Sequence, residues 1–167
     1  MAGMAITQLS SLNAAVTDIV QGPAANLRNS SDLSDAILNA IANEKSAALN
    51  EDAARISTYV DAARTDRAKI GQIIATLEKE TNPAIHAKVT ELKAAVPAWE
   101  KLQEEVLRLA TINTPESNRQ AGAISMGDGE KATKALLTTL ESLNNEIAAD
   151  LKATDEATNE EYDTSRT

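Results

Sequence analysis

Apolar residues recur every three to four positions along most of this chain, and no segment shows the strict alternation of a half-buried strand. The first such run extends from about Ile6 to Leu49, with Leu9, Leu12, Val16, Ile19, Val20, Leu27, Leu33, Ile37 and Ile41 on a broad face. Pro23, preceded by Gly22, is expected to kink or loosen it, because proline lacks the N–H that the helix ladder uses. Asn50 is a candidate cap for a second helix running to about Glu80, with Glu51 and Asp52 in the first turn where the helix dipole favours negative charge. Asn82 and Pro83 mark a restart, asparagine as cap and proline at the first helical position. The third helix repeats Ile85, Val89, Leu92, Val96, Trp99, Gln103, Val106 and Ala110, with a bend expected at Pro97. Pro115, Gly122, Gly127 and Gly129 then predict a short irregular connector between Asn113 and Gly129, with one or two helical turns around Arg119 to Ser125. The last helix carries Leu136, Leu140, Leu143, Ile147 and Leu151 and continues toward Tyr162.

Four helices of about 30 to 45 residues are roughly 45 to 65 Å long, more than a compact globule of this mass needs. Short connections at Asn50 and Asn82 force antiparallel neighbours. The expected fold is all-α, an elongated antiparallel up-down-up-down four-helix bundle forming a single domain over 1–167, with both ends at one pole.

Composition agrees and narrows the function. The chain has 167 residues, 43% of them apolar, with no Phe, no Cys and four Pro, which is the profile of long Ala-rich helices. Without cysteine there is neither a disulfide scaffold nor a thiolate zinc site. A net charge of −9 argues against a nucleic-acid surface and against adhesion to anionic lipid. No run approaches the ~20 apolar residues of a membrane span, so the chain is read as soluble as given. His86 is the single histidine and has no clustered partner, which makes a poor metal site. The adjacent acids Glu104–Glu105 and Glu160–Glu161 point in different directions on a helix and form no glycosidase dyad. No catalytic residue, metal or cofactor is assigned, and the chain is read as non-enzymatic.

The 4,3 spacing of the second helix picks out Ile56, Val60, Ala63, Arg67, Ile70, Ile74 and Leu77, which places one guanidinium in an apolar seam. A buried cation needs a carboxylate, a ring face, water or a bound anion. Counting turns puts Trp99, the serines Ser30, Ser31 and Ser34, and Asn144 near the height of Arg67, with Tyr59 and Arg64 one to two turns nearer the tip. A polar layer inside a rod suits a small ligand. The candidate ligand-binding set is therefore Arg67, Trp99, Tyr59, Arg64, Ser34 and Asn144. The competing reading sends Arg67 to an acid on a neighbouring helix and leaves Trp99 to fill the core beside Pro97. Gln103 also interrupts a seam and, in such positions, often fixes register.

Several segments resemble the four-helix-bundle sensor domain of bacterial methyl-accepting chemotaxis receptors. They are LSSLNAAVTDIVQGPAANL in the first helix, ALNEDAARISTYVDAAR across the first turn, NRQAGAISMGDGEKATKALLTTLESLN into the last helix, and NEEYDTSRT at the end. The resemblance covers nearly the whole chain. It implies a periplasmic module of an inner-membrane protein, set between two transmembrane helices that lie outside this sequence and dimerising chiefly through its first helix. It implies binding of a small chemoeffector, an organic acid, amino acid or aromatic compound. The family often presents a lone Arg on the first helix, where this chain offers Glu44 and Lys45, so an aspartate-type pocket does not carry over. The same sensor fold also heads some histidine kinases and cyclases. A soluble helical interaction protein, such as a granule-coating or secretion-associated bundle, is the alternative reading from a different class.

Overall fold

The computed structural model describes residues 13, 14, 16, 17 and 19–165, without the side chains of 161 and 163–165. Ile6, Leu9 and Leu12 of the first apolar face lie outside these residues. The described part is helical and contains no strand. Its helices are α1 (Pro23–Leu49), α2 (Ala53–Leu77), α3 (Pro83–Ile112), α4 (Pro115–Met126) and α5 (Asp128–Ser165). Helical residues also precede Gly22, the turn residue where the sequence placed a kink.

Three of the four prolines, Pro23, Pro83 and Pro115, open helices, where the missing N–H has no intrahelical partner to lose. Pro97 is exposed and α3 runs through it as one helix. The cap of α2 is Asp52, two residues later than expected. Its carboxylate accepts from the Ala54 and Arg55 amides at 2.9 and 3.0 Å, while Asn50 Oδ1 accepts from the Asp52 amide at 3.0 Å and shapes the turn before it. That helix stops at Leu77 rather than Glu80. The Glu80 carboxylate instead accepts from the Thr81 and Asn82 amides, at 2.8 and 3.2 Å, and from the Asn26 amide group.

The expected irregular connector is mostly helix, and this corrects the sequence reading. Thr114 and Ser117 form a reciprocal capping box at the start of α4. Gly122 sits mid-helix with open space around it, at a modest cost in helix propensity. The break itself is confined to Gly127, with φ −101° and ψ −104°, between α4 and α5. A Cβ on Gly127 would come within 2.7 Å of the Ala123 carbonyl oxygen, and one on Gly129 within 2.8 Å of the Ile124 carbonyl oxygen. Backbone cannot yield as a flexible side chain does. Gly127→Ala and Gly129→Ala are therefore expected to destabilise by about 1–2 kcal/mol, whereas Gly71→Ala and Gly122→Ala, in open space, should stabilise by about 0.5–1 kcal/mol. Urea denaturation of the four variants checks this; one common sign across all four would refute it.

Cross-helix bonds fix the pairings. Asn26 near the start of α1 meets Glu80 beyond the end of α2, and Lys93 of α3 pairs with Glu78 at 2.6 Å. Asn82, at the start of α3, reaches Asp150 of α5 at 2.6 Å, and Ser34 of α1 accepts from Asn144 of α5 at 3.3 Å. At the other pole, Asn113 Nδ2 donates to the Glu51 carbonyl at 2.8 Å and ties the two turns there together. The core holds the predicted periodic residues, among them Leu33, Ile37, Ile70, Leu77, Ile85, Leu92, Leu136, Leu143 and Ile147, all 1% exposed or less. Burying each such side chain is worth about 1.5–3 kcal/mol before the entropy of ordering it is subtracted.

Candidate functional site

The apolar core is interrupted at one level. Its main cluster ends at Ala40 of α1, Ile70 of α2 and Trp99 of α3, and it resumes in two smaller clusters containing Ala47, Ala63, Val106, Leu107 and Ala121. Between the ends, four of the five helices contribute polar side chains: Asn43 and Glu44 from α1, Asp66 and Arg67 from α2, Gln103 and Glu104 from α3, and Ser125 from α4. Because core positions recur every three or four residues, one polar turn per helix at matched height makes a polar layer across the molecule. Glu44, Asp66, Gln103 and Ser125 are each 7% exposed or less.

The layer is held by internal partners. The Arg67 guanidinium bonds the Glu104 carboxylate and donates to the Glu100 carbonyl at 3.2 Å, while Arg64 reaches the other Glu104 oxygen at 2.6 Å. Arg64 chiefly, with Arg67 behind it, holds the Glu104 carboxyl below the ordinary carboxylate range despite partial burial. Glu100 shifts the other way, pushed up by burial against the attraction of Arg67. Asp66 accepts from Asn43 Nδ2 at 3.1 Å and from Lys69 Nζ at 3.4 Å. Gln103 Nε2 donates to the Ala40 carbonyl at 3.0 Å, which locks α3 to α1 in register as its seam position suggested. Lys45 Nζ donates to Ser125 Oγ at 3.3 Å.

Arg67 is therefore not the seam residue of α2. That place belongs to Asp66, which faces Asn43 of α1, while Arg67 flanks it with a side chain 13% exposed and turned toward α3. The partner that physics demanded for its charge is Glu104. Trp99 is 2% exposed, and its Nε1 donates to Thr133 Oγ1 of α5 at 3.1 Å, so it fills the core as the plainer reading had it. Tyr59 packs half-buried against the Ala47, Ile56 and Leu107 cluster. Ser34 and Asn144 do meet each other, but Ser34 lies nine residues before Asn43, about 13 Å along the helix. The six expected residues thus do not share one pocket. Turn counting set Arg67 level with Trp99, as its bond to the Glu100 carbonyl shows, but it failed for the α4–α5 arm because it assumed equal arms: Trp99 lies 13 residues before the end of α3, yet its partner Thr133 lies 18 residues after the start of α4, the bend at Gly127 taking up the difference.

A groove of about 310 Å³ runs between α1 and α2 beside the layer, lined by Asp32, Asp35, Ala36, Asn39, Asp66, Lys69, Gln72 and Ile73. Sequence reasoning missed it. The available signal was the i, i+3 pair Asp32 and Asp35 on the face of α1 that meets α2. Among the described residues no group of three or more His, Cys, Asp or Glu is placed to hold a metal ion, and His86 is exposed. No described helix is long and apolar enough to cross a membrane. Compared with known proteins, the chain matches no family model, no curated protein and no solved structure.

Proposed function

We propose that this chain is the extracytoplasmic small-molecule sensing domain of a bacterial transmembrane chemoreceptor, an elongated up-down-up-down four-helix bundle that binds and does not catalyse. The observation that carries the reading is the seam between the first and last helices. The N-terminal end of α1 and the C-terminal part of α5 share one pole, the geometry a membrane-anchored receptor needs. Side-chain bonds of 3.3 Å, Asn144 to Ser34 and Lys45 to Ser125, join α1 to the α4–α5 arm. The α2–α3 face, by contrast, carries ion pairs at Arg64, Arg67 and Lys93. A seam crossed by long single hydrogen bonds resists sliding less than one pinned by ion pairs, so a ligand needs little differential affinity to shift it.

Of the three ligand classes, an amino acid fits the groove best. Asp32, Asp35 and Asp66 suit its ammonium and Lys69 its carboxylate. Assembly follows from an exposed apolar face of α1, where Leu27, Leu38 and Leu49 are 42% to 85% exposed, with Val16 and Val20 also exposed on the helical residues before Gly22. Leu27, Leu38 and Leu49 stand eleven residues apart, three turns each, and so line one face of α1. A second copy of the chain, packed parallel along this stripe, covers it in the receptor reading. The same stripe is what favours the alternative, a soluble helical interaction protein.

A thermal-shift screen of amino acids, organic acids and aromatic compounds separates the two, since a specific ligand at 100 times its dissociation constant stabilises the fold by about 2.7 kcal/mol. The chain has no native cysteine, so Ser34→Cys with Asn144→Cys reports the seam directly. The expected result is a disulfide formation rate that changes when the ligand saturates. An unchanged rate with a stabilising ligand bound would refute the sliding mechanism, and a screen without any hit would favour the interaction protein.

A further inference from the structure

We propose that the short turn between α2 and α3 is a clasp that sets the register of the first helix, α1, against the last, α5. Two residues of that turn, Glu80 and Asn82, hold partners on the two different helices. The Glu80 carboxylate accepts from the side-chain amide of Asn26, which is 7% exposed near the start of α1. The Asn82 side-chain amide donates to the Asp150 carboxylate of α5 at 2.6 Å. The two arms join inside the turn, because Glu80 Oε1 also accepts from the Thr81 and Asn82 backbone amides at 2.8 and 3.2 Å. A continuous run of hydrogen bonds thereby ties α1 to α5, each of them accepted by a carboxylate, the stronger kind. Asn82 serves α3 and α5 with separate atoms. Its Oδ1 caps α3, accepting from the Ala84 and Ile85 amides at 2.9 and 3.4 Å, while its Nδ2 reaches Asp150. Burial pushes the Glu80 carboxyl up, but the bonds from Asn26 and from the Asn82 and Thr81 amides together hold it below its ordinary value of 4.5.

The clasp lies at one end of the seam whose register it sets. Asp150 is six residues from Asn144, and Asn26 is eight from Ser34, about 9 and 12 Å along their helices. The bond within the seam is a weaker guide. Asn144 reaches Ser34 at 3.3 Å, and its Oδ1 has no hydrogen-bond partner. Past Asp150, α5 continues to Ser165, whereas α2 has ended at Leu77 and α3 begins only at Pro83, so this turn is the last place where the α2–α3 hairpin can hold α5. Moving α5 along α1 by more than about 3 Å must break the Asn82 to Asp150 bond or drag the turn along with it.

The test reads register directly, as the rate of disulfide formation between Ser34→Cys and Asn144→Cys in the ligand-free chain. Asn82→Asp keeps a good helix cap for α3 but sets one carboxylate against another at Asp150. Combining it with Asp150→Asn restores a donor and an acceptor with their roles exchanged. The expected result is a rate about tenfold lower in Asn82→Asp that returns to within about threefold of the parent in the exchanged pair. Asp150→Ala removes the acceptor without the repulsion and leaves the cap intact. Its smaller fall in rate keeps the test decisive should Asn82→Asp fail to fold. Asn26→Asp, alone and with Glu80→Gln, repeats the comparison on the other arm. Neither arm alone ties α1 to α5, so opening both should slow the reaction little more than opening one. A rate unchanged in Asp150→Ala, no recovery in the exchanged pairs, or losses that add across the two arms would overturn the proposal. Because no ligand enters the measurement, the clasp stands or falls apart from the receptor reading.

Discussion

Trp99→Ala is expected to lower the free energy of unfolding by about 3–5 kcal/mol, the range for removing a buried aromatic ring from a core that collapses only in part. The ring is 2% exposed at the upper end of the main apolar cluster, just below the polar layer. Its loss would open a cavity beside Gln103 and leave Thr133 without its indole donor. Trp99→Phe should retain most of the packing and cost about 1–2 kcal/mol, for the lost hydrogen bond and the smaller ring. Urea melts followed by circular dichroism measure both. The wild type supplies a second readout, because Trp99 is the single tryptophan and its emission should be blue-shifted until the core unfolds. A loss below about 1 kcal/mol for Trp99→Ala would mean that the ring contributes little to the core, and would return it to the list of ligand contacts.

Much of the architecture was legible in the sequence because helical period and capping chemistry are local. Asn82 and Pro83 open α3 as read, and the periodic residues of that helix are buried from Ile85 to Ala110. The connector was misread for an equally local reason. Proline at a first helical position and an unobstructed glycine within a helix carry the same letters as a loop, and the Thr114–Ser117 cap that distinguishes them was overlooked. The site was harder to read. Its level depends on how far each helix is displaced against the next, and neither the α4–α5 bend nor the offset of the hairpins is written in any single segment. Choosing between Asp66 and Arg67 required knowing which helix each faces. Periodicity identifies a face to within about one residue in a turn, and here adjacent residues carry opposite charge.

Arg67→Ala should destabilise the fold by about 2–3 kcal/mol, since two hydrogen bonds that involve a charged group are lost from a side chain mostly out of water. The value stays below that of a fully buried pair, because Glu104 is 43% exposed and water partly replaces its partner. Arg64 still holds the other Glu104 oxygen, so Glu104→Ala and the double variant should give a coupling energy smaller than the cost of Arg67→Ala alone. A pH dependence accompanies the loss. Glu104 is held below 4.5, so its contribution is present above that pH and fades as pH falls through the depressed value. Arg67→Ala should shrink that acid-side decline without abolishing it, whereas Arg67→Met, which keeps the apolar stem over α3, should recover part of the melting temperature and none of the acid-side dependence. Were Arg67 instead an anchor for a ligand carboxylate, the empty protein would tolerate its removal, and the melting temperature of Arg67→Ala would match the wild type. Melts of the four variants between pH 3 and 7 decide between a guanidinium that holds α2 to α3 and one that waits for an anion.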